Sequence, residues 1–200
     1  MTTAENTTVK GLHPSFGHGK YLFRKKVLKL FGGAFHVYDE NGNVLFYSKQ
    51  KAFKLKEDFR VYSDEAQTSE LLVIKTPQIL DFGATYNVQD GTVGEVVGAM
   101  RRKGLKSIVK DEWLILSKDG GEVGKLTEKS TGMAILSRLV GLIPQKYVIV
   151  AKDGSEVANI EQHFNPFVLK YTMTISPQPK IDRRLLIAVG ILLVGIEGRQ

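Results

Sequence analysis

The chain has 200 residues, 42% of them hydrophobic, with 28 Lys and Arg against 21 Asp and Glu and a formal net charge of +7. This length suits one large domain or two small ones, and the hydrophobic fraction is enough for a sizeable core. The absence of cysteine excludes disulfides, thiolate metal sites, a cysteine nucleophile and S-palmitoylation, while the moderate basic excess permits an anionic partner without requiring one.

The first twenty residues are predicted to form a flexible arm. They contain Thr, Gly and His, without the apolar stretch of about 7–15 residues that a signal peptide needs. Leu12 and Phe16 are too sparse to pack alone. We therefore predict a folded domain at residues 21–200 and expect a cytoplasmic protein, peripheral to the membrane if it binds lipid.

From residue 21 to about residue 176, short apolar runs alternate with tight turns, as in antiparallel sheets. Four segments place an Asp-Gly or Asn-Gly turn between apolar strands, with turn glycines at Gly42, Gly91, Gly120 and Gly154. Such turns are a strong hairpin signal, because both turn positions are expected to take positive φ. Further strands are predicted near residues 59–63, 71–75, 93–100 and 167–175. Many short strands of this kind predict a sandwich or a barrel.

Two segments interrupt the strand pattern. The first predicts one short helix near residues 131–141, ended by Gly141 and Pro144. The second follows Asp182, a helix cap, with twelve consecutive apolar or glycine residues at positions 185–196. Such a helix is about 18 Å long, shorter than the ~30 Å bilayer core, and it has no polar face for a surface position. It is predicted to lie inside a closed sheet, with central residues Leu185, Leu186, Val189, Leu192 and Leu193.

The hairpins, the strand that begins at Trp113, the segment 161–167 and the tail 182–200 together resemble the LURP-one-related and phospholipid-scramblase-like family, within the Tubby C-terminal-like superfamily. The resemblance covers residues 21–200 and implies a mainly β protein. Its expected form is a closed antiparallel barrel of about twelve strands around a hydrophobic C-terminal helix. Unlike scramblases, the chain has no Cys-rich or Pro-rich arm, and residues 176–180 lack the acidic calcium-binding segment of that position.

The sequence does not predict a catalytic site, a cofactor or a metal site. It has no G-x-S-x-G motif, and residues 120–125 fail the P-loop pattern because Leu126 follows the lysine. Asp39 begins a segment similar to a calcium loop, but the required Gly and Glu are missing, which indicates a turn. His13 and His18 are near each other without a carboxylate to complete a metal set. We expect a non-enzymatic protein.

Basic clusters are the candidate binding features. The densest contains Arg101, Arg102, Lys103 and Lys106, and two others lie at residues 24–29 and 49–56. One interpretation is an ordinary solvated barrel face. The functional interpretation is a patch for anionic phospholipid headgroups or a membrane surface, with phosphoinositides included by analogy to the Tubby proteins. Nucleic acid is disfavoured, because no aromatic residues interleave with residues 101–110.

Strand alternation divides the densest cluster between two faces. It predicts Arg101 and Lys103 outward, and Arg102 at a strand end or paired with an inward carboxylate. Gly98 and Gly104 flank the cluster and are predicted to let a backbone or a headgroup approach closely. The first hypothesis is therefore a binding module for anionic lipid. The alternatives are a structural barrel that binds another protein, and a relative of the phospholipid scramblases.

Overall fold

The computed structural model describes residues 11–26, 34–49, 58–76, 85–102, 112–129, 144–165 and 167–197. Within these ranges the elements are β1 (Lys20–Lys26), β2 (Ala34–Tyr38), β3 (Val44–Lys49), β4 (Asp58–Tyr62), β5 (Glu70–Lys75), β6 (Thr85–Asp90), β7 (Val96–Arg102), β8 (Glu112–Ser117), β9 (Glu122–Glu128), β10 (Lys146–Ala151), β11 (Glu156–His163), β12 (Val168–Ile175) and the helix α1 (Arg183–Glu197). The short helix predicted near residues 131–141 lies outside the described residues.

The twelve strands form one closed barrel in which each strand pairs antiparallel with its neighbours in the chain. Pairing of β1 with β12 closes the sheet, in a register that runs from Lys20 opposite Thr174 to Lys26 opposite Val168. Alternate residues of β2 and β4 are buried, as expected of strands with one face toward a core. The prediction of a closed barrel of about twelve strands is confirmed.

The helix α1 fills the inside of the barrel. The five predicted central residues are each at most 5% exposed. Asp182 caps the helix as predicted: its Oδ1 accepts from the Arg184 N–H at 2.8 Å, and its carbonyl accepts from the Leu185 N–H at 3.0 Å. The helix therefore supplies the core around which the strands close.

Three hairpin turns have the same geometry, at residues 39–43, 117–121 and 151–155. In each, a glycine N–H bonds the carbonyl three residues before it, and the φ angles of Gly42, Gly120 and Gly154 are +86°, +81° and +88°. Each turn is accompanied by a register shift in its strand pair. These are three-residue loops with a glycine bulge, in which the glycine alone supplies the positive φ that matches strand twist. The prediction of two positive φ angles per turn is therefore wrong.

The turn between β6 and β7 differs from the other three. Its positive φ is at Gly94, +74°, and Gly91 has none. A Cβ at Gly91 would lie 2.5 Å from the carbonyl oxygen of Glu70, so this glycine serves a close approach of two backbones. The turn glycine predicted at position 91 is thus required for packing against β5.

Residues 11–19 pack across the end of the barrel where α1 begins. Phe16 is 1% exposed, and its ring centroid lies 5.0 Å from that of Phe46. The Arg183 guanidinium donates to the carbonyls of Phe16 and His18, at 3.2 and 2.8 Å. The flexible arm predicted for residues 1–20 does not extend to this segment, because Phe16 packs against the barrel and needs no core of its own.

Candidate functional site

By sequence, the segments that connect the strands at one end of the barrel differ in charge from those at the other end. We call the end of the barrel where β1 and α1 finish the basic end. The strand termini at this end are joined by residues 27–33, 50–57, 76–84, 103–111, 129–145 and 164–167. By sequence these connections contain nine Lys and Arg and three Asp and Glu, a net charge of +6. At the opposite end, the acidic end, residues 39–43, 63–69, 91–95, 118–121 and 152–155 contain two Lys and seven Asp and Glu, a net charge of −5.

The predicted site residues Arg101 and Arg102 end strand β7 at the basic end. Arg101 is exposed, and it is in no ion pair among the described residues. Arg102 is half-buried, and its guanidinium carbon lies 5.9 Å from the ring centroid of Trp113. The two side chains are thus in different environments, with Arg102 at a strand end. Lys103 and Lys106 lie outside the described residues.

Gly98 does not open the strand to a ligand. A Cβ at this position would lie 2.2 Å from the carbonyl oxygen of Leu116 and 3.2 Å from the Leu185 side chain. The glycine therefore allows β7, β8 and α1 to pack closely: of the two partners predicted for this position, the structure shows the backbone and not a headgroup. Gly104 lies outside the described residues.

A second pair of cations lies where the barrel closes. Arg24 on β1 is directly opposite Lys170 on β12, and both side chains are on the outer face. Neither is in an ion pair among the described residues, and the Arg24 guanidinium lies 5.8 Å from the ring centroid of Tyr38. Sequence reasoning missed Lys170, because it is distant from any cluster in the chain and only the β1–β12 pairing brings it to Arg24.

Lys25, within the predicted cluster at residues 24–29, is part of the core. It is 7% exposed, and its Nζ donates to the carbonyl of Gly195 at 3.3 Å. The lysine thus supplies a donor and a positive charge to the C-terminal turn of α1, where a cation is favoured. It is not available to an external anion.

An ion-pair network holds the start of α1 at the acidic end. The Arg184 guanidinium contacts the carboxylates of Asp182 and Asp90 at 2.7 and 2.8 Å. Burial opposes ionisation of Asp90, but hydrogen bonds from Thr92 and Arg184 outweigh it and lower the pKa of that carboxyl. Arg183 and Arg184 lie at the end of α1 where the helix dipole disfavours cations, and both have oxygen partners at the barrel mouth.

The described residues contain no group of three or more His, Asp or Glu side chains arranged to hold a metal ion.

Burial raises the pKa of Tyr21 to about 12, and its hydroxyl donates to the carbonyl of Ser15 at 3.1 Å. Among the helices of the described ranges, none combines the length and hydropathy that crossing a membrane requires.

An apolar cavity of about 10 Å³ lies between α1 and the barrel wall, lined by Met100, Trp113, Leu126, Val189, Leu192 and Leu193. This volume is near the minimum for a single water molecule. A lipid acyl chain does not fit in this cavity of the described residues.

A closed twelve-stranded antiparallel barrel around a hydrophobic helix defines the class of protein to which this chain belongs. The LURP-one-related family model matches residues 44–194, and the chain belongs to this family. The placement is consistent with the Tubby-like superfamily. Neither the curated proteins nor the solved structures include a match.

Proposed function

We propose that this protein is a non-enzymatic module that binds the surface of anionic membranes with the basic end of its barrel. The observation that carries this proposal is the opposite charge of the two ends, +6 and −5 in their strand connections. Such a charge distribution turns the basic end toward a negative surface before contact. The attraction acts within a screening length of about 8–10 Å at 0.10–0.15 M salt.

The described cations at this end favour a flat partner over a single headgroup. Arg101 on β7 lies five strands around the barrel from Lys170 on β12. One headgroup cannot contact both positions, whereas a bilayer that meets the end of the barrel reaches both. Each Lys or Arg near an anionic leaflet contributes about 1 kcal/mol, so several such residues give weak and salt-sensitive binding.

Co-sedimentation with phosphatidylcholine vesicles, with and without phosphatidylserine, tests the proposal at low and high salt. We expect binding only with phosphatidylserine, weakened by salt. The double variant Arg101→Gln/Lys103→Gln should bind about tenfold or more weakly, given two lost cations. The matched control, Lys118→Gln/Lys152→Gln, removes the same charge at the acidic end and should bind like wild type. Equal binding by the two double variants would contradict the proposal.

The second candidate function is binding of a protein partner at the acidic end. Val93 and Val96 are 72% and 53% exposed there, beside the turn between β6 and β7. An apolar contact of this kind is insensitive to salt. Retention of a partner at high salt by wild type, and its loss from a Val93→Ser/Val96→Ser variant, would support this function.

A further inference from the structure

The turn between β11 and β12 exposes two aromatic rings at the basic end. Phe164 and Phe167 are 55% and 63% exposed, and we call them the aromatic tip. The other phenylalanines in the described residues are at most 1% exposed: Phe16, Phe23, Phe35, Phe46 and Phe59. The side chain of Asn165 accepts hydrogen bonds from the N–H groups of Phe167 and Val168, at 2.9 and 3.0 Å. The rings are therefore presented to solvent by a turn that has its own hydrogen bonds.

Two like charges lie directly behind the aromatic tip. Lys170, three residues from Phe167, is opposite Arg24 on the outer face of the barrel. Like charges that face each other across antiparallel strands are unfavourable. No carboxylate of the described residues pairs with either side chain, so an external anion would relieve the repulsion. The aromatic tip and this pair thus combine two exposed apolar rings with two cations that have no carboxylate partner among the described residues.

The spacing of the two features matches the profile of a membrane interface. Three residues of strand span roughly 10 Å, and a barrel strand tilt near 40° reduces this to roughly 7–8 Å along the barrel axis. The headgroup layer on each side of a bilayer is about 5–8 Å thick. Rings at the boundary of the hydrocarbon would therefore place Lys170 and Arg24 at the level of the phosphates, which their long side chains can reach.

We propose that the aromatic tip inserts into the interfacial layer of an anionic bilayer while Arg24 and Lys170 bind lipid phosphates. This inference rests on the proposed function and adds to it the anchoring element and the orientation of the barrel on the membrane. Electrostatic attraction brings the basic end to the surface, and burial of the rings then retains it there.

A tryptophan at the tip reports insertion directly. In the Phe164→Trp variant, we expect emission to shift to shorter wavelength with vesicles that contain phosphatidylserine, and to be quenched by brominated acyl chains. Phosphatidylcholine vesicles alone should give neither effect. The control variant Val93→Trp carries its probe on the acidic end and should show no change with either vesicle. The native Trp113 is 8% exposed and contributes the same signal to both variants.

A second measurement distinguishes the contribution of the aromatic rings to membrane binding from that of electrostatic attraction. The variant Phe164→Ser/Phe167→Ser should bind phosphatidylserine vesicles at least about tenfold more weakly, because two ring contacts are lost without change of charge. Val93→Ser/Val96→Ser, the matched control, should bind like wild type. An Arg24→Gln/Lys170→Gln variant should also bind more weakly, with a smaller dependence on salt than wild type.

Three results would overturn the inference, and they bear differently on the proposed function. If Phe164→Trp emission is unchanged while the protein co-sediments with phosphatidylserine vesicles, the tip does not insert, and the binding of anionic surfaces stands. Wild-type affinity in the serine variant of the tip has the same meaning. If wild type fails to bind phosphatidylserine vesicles at low salt, the inference and the proposed function are both wrong.

Discussion

Gly190 allows α1 to contact β1 more closely than any other residue would permit. A Cβ at this position would lie 2.4 Å from Cζ of Phe23, whose ring is fully buried, and 3.0 Å from Cε of Met173. Because the ring is buried in a close-packed core, a methyl group here requires the Phe23 side chain, the helix or the strand to shift. The helix interior therefore contains a glycine despite the cost of glycine to a helix.

For Gly190→Ala we expect a loss of about 1–3 kcal/mol in the free energy of unfolding, since overpacking outweighs the better helix propensity of alanine. Urea denaturation measures the change. Gly121→Ala is the control, because its nearest contact would be 3.5 Å, to the Ser117 hydroxyl, and its expected change is within about 0.5 kcal/mol. A more stable Gly190→Ala protein would show that propensity dominates and that the helix does not fit tightly.

Arg101 and Arg102 are expected to differ in their effects on stability. Arg102→Gln removes a guanidinium from the face of Trp113, which should lower the free energy of unfolding by about 1 kcal/mol. Arg101→Gln should change it by less than about 0.5 kcal/mol, because this exposed arginine has no partner among the described residues. Chemical denaturation of both variants tests the difference. Equal losses would contradict the assignment of Arg102 to a packing role.

At the level of elements, an ion pair holds the start of α1 and a hydrogen bond from a buried lysine holds its end. At its start, Arg184 joins the helix to Asp90 at the end of β6; at its finish, Lys25 of β1 donates to the carbonyl of Gly195. The Asp90 and Arg184 side chains are only 8% and 15% exposed. Breaking such a pair leaves a buried charge without its partner, which is costlier than losing a surface ion pair.

We expect Asp90→Asn to lower stability at pH 7 by about 3 kcal/mol. The pKa of Asp90 is lower in the folded protein than in the unfolded chain, so its contribution is present above the unfolded pKa of about 3.9 and is lost as pH falls through the folded value. The difference between wild type and variant should therefore shrink below about pH 4. Thermal unfolding between pH 3 and pH 7 measures it.

The control for this prediction is Asp119→Asn in the turn between β8 and β9, where the carboxylate is exposed and in no ion pair of the described residues. Its effect should be small at every pH. A constant difference between wild type and Asp90→Asn across the whole range would show that the Arg184 contact does not depend on the charge of Asp90.

An element could be predicted from the sequence where the residues that produce it are neighbours in the chain. The apolar run at 185–196 and the Asp182 cap identify α1 from neighbouring residues alone. The loop types were not predictable, because Asp-Gly fits both two-residue and three-residue turns. The pairing of Arg24 with Lys170 requires knowledge of which strands close the barrel. The burial of Phe16 likewise depends on distant residues such as Phe46.

At the level of the whole molecule, one strand pair differs from all others. Every pairing except β1 with β12 joins strands that follow each other in the chain. Lys20 at the start of the chain's first strand pairs with Thr174 of its last strand, and this seam closes the sheet around α1. Contacts between such distant residues are costly in chain entropy, so we expect the seam to form after the hairpins.

Stopped-flow fluorescence of Trp113 can test this order. We expect folding in milliseconds to seconds. Phe23→Leu, which alters the contact of β1 with α1, should mainly accelerate unfolding. Ile115→Val on β8, whose partner β9 follows it in the chain, is the comparison and should mainly slow folding. A Phe23→Leu protein that folds more slowly and unfolds at the wild-type rate would place the seam in the folding nucleus.

Because α1 follows all twelve strands in the chain, the core of the barrel leaves the ribosome after every strand that surrounds it. At about 5–20 residues per second, roughly 10–30 s separate the synthesis of β1 from that of α1. Throughout that time the inward faces of the strands have no helix to cover them, and their apolar side chains are open to contact with other nascent chains. Closure of the barrel around its core therefore has to wait for the synthesis of α1, and until then the strands depend on one another alone to cover their apolar faces.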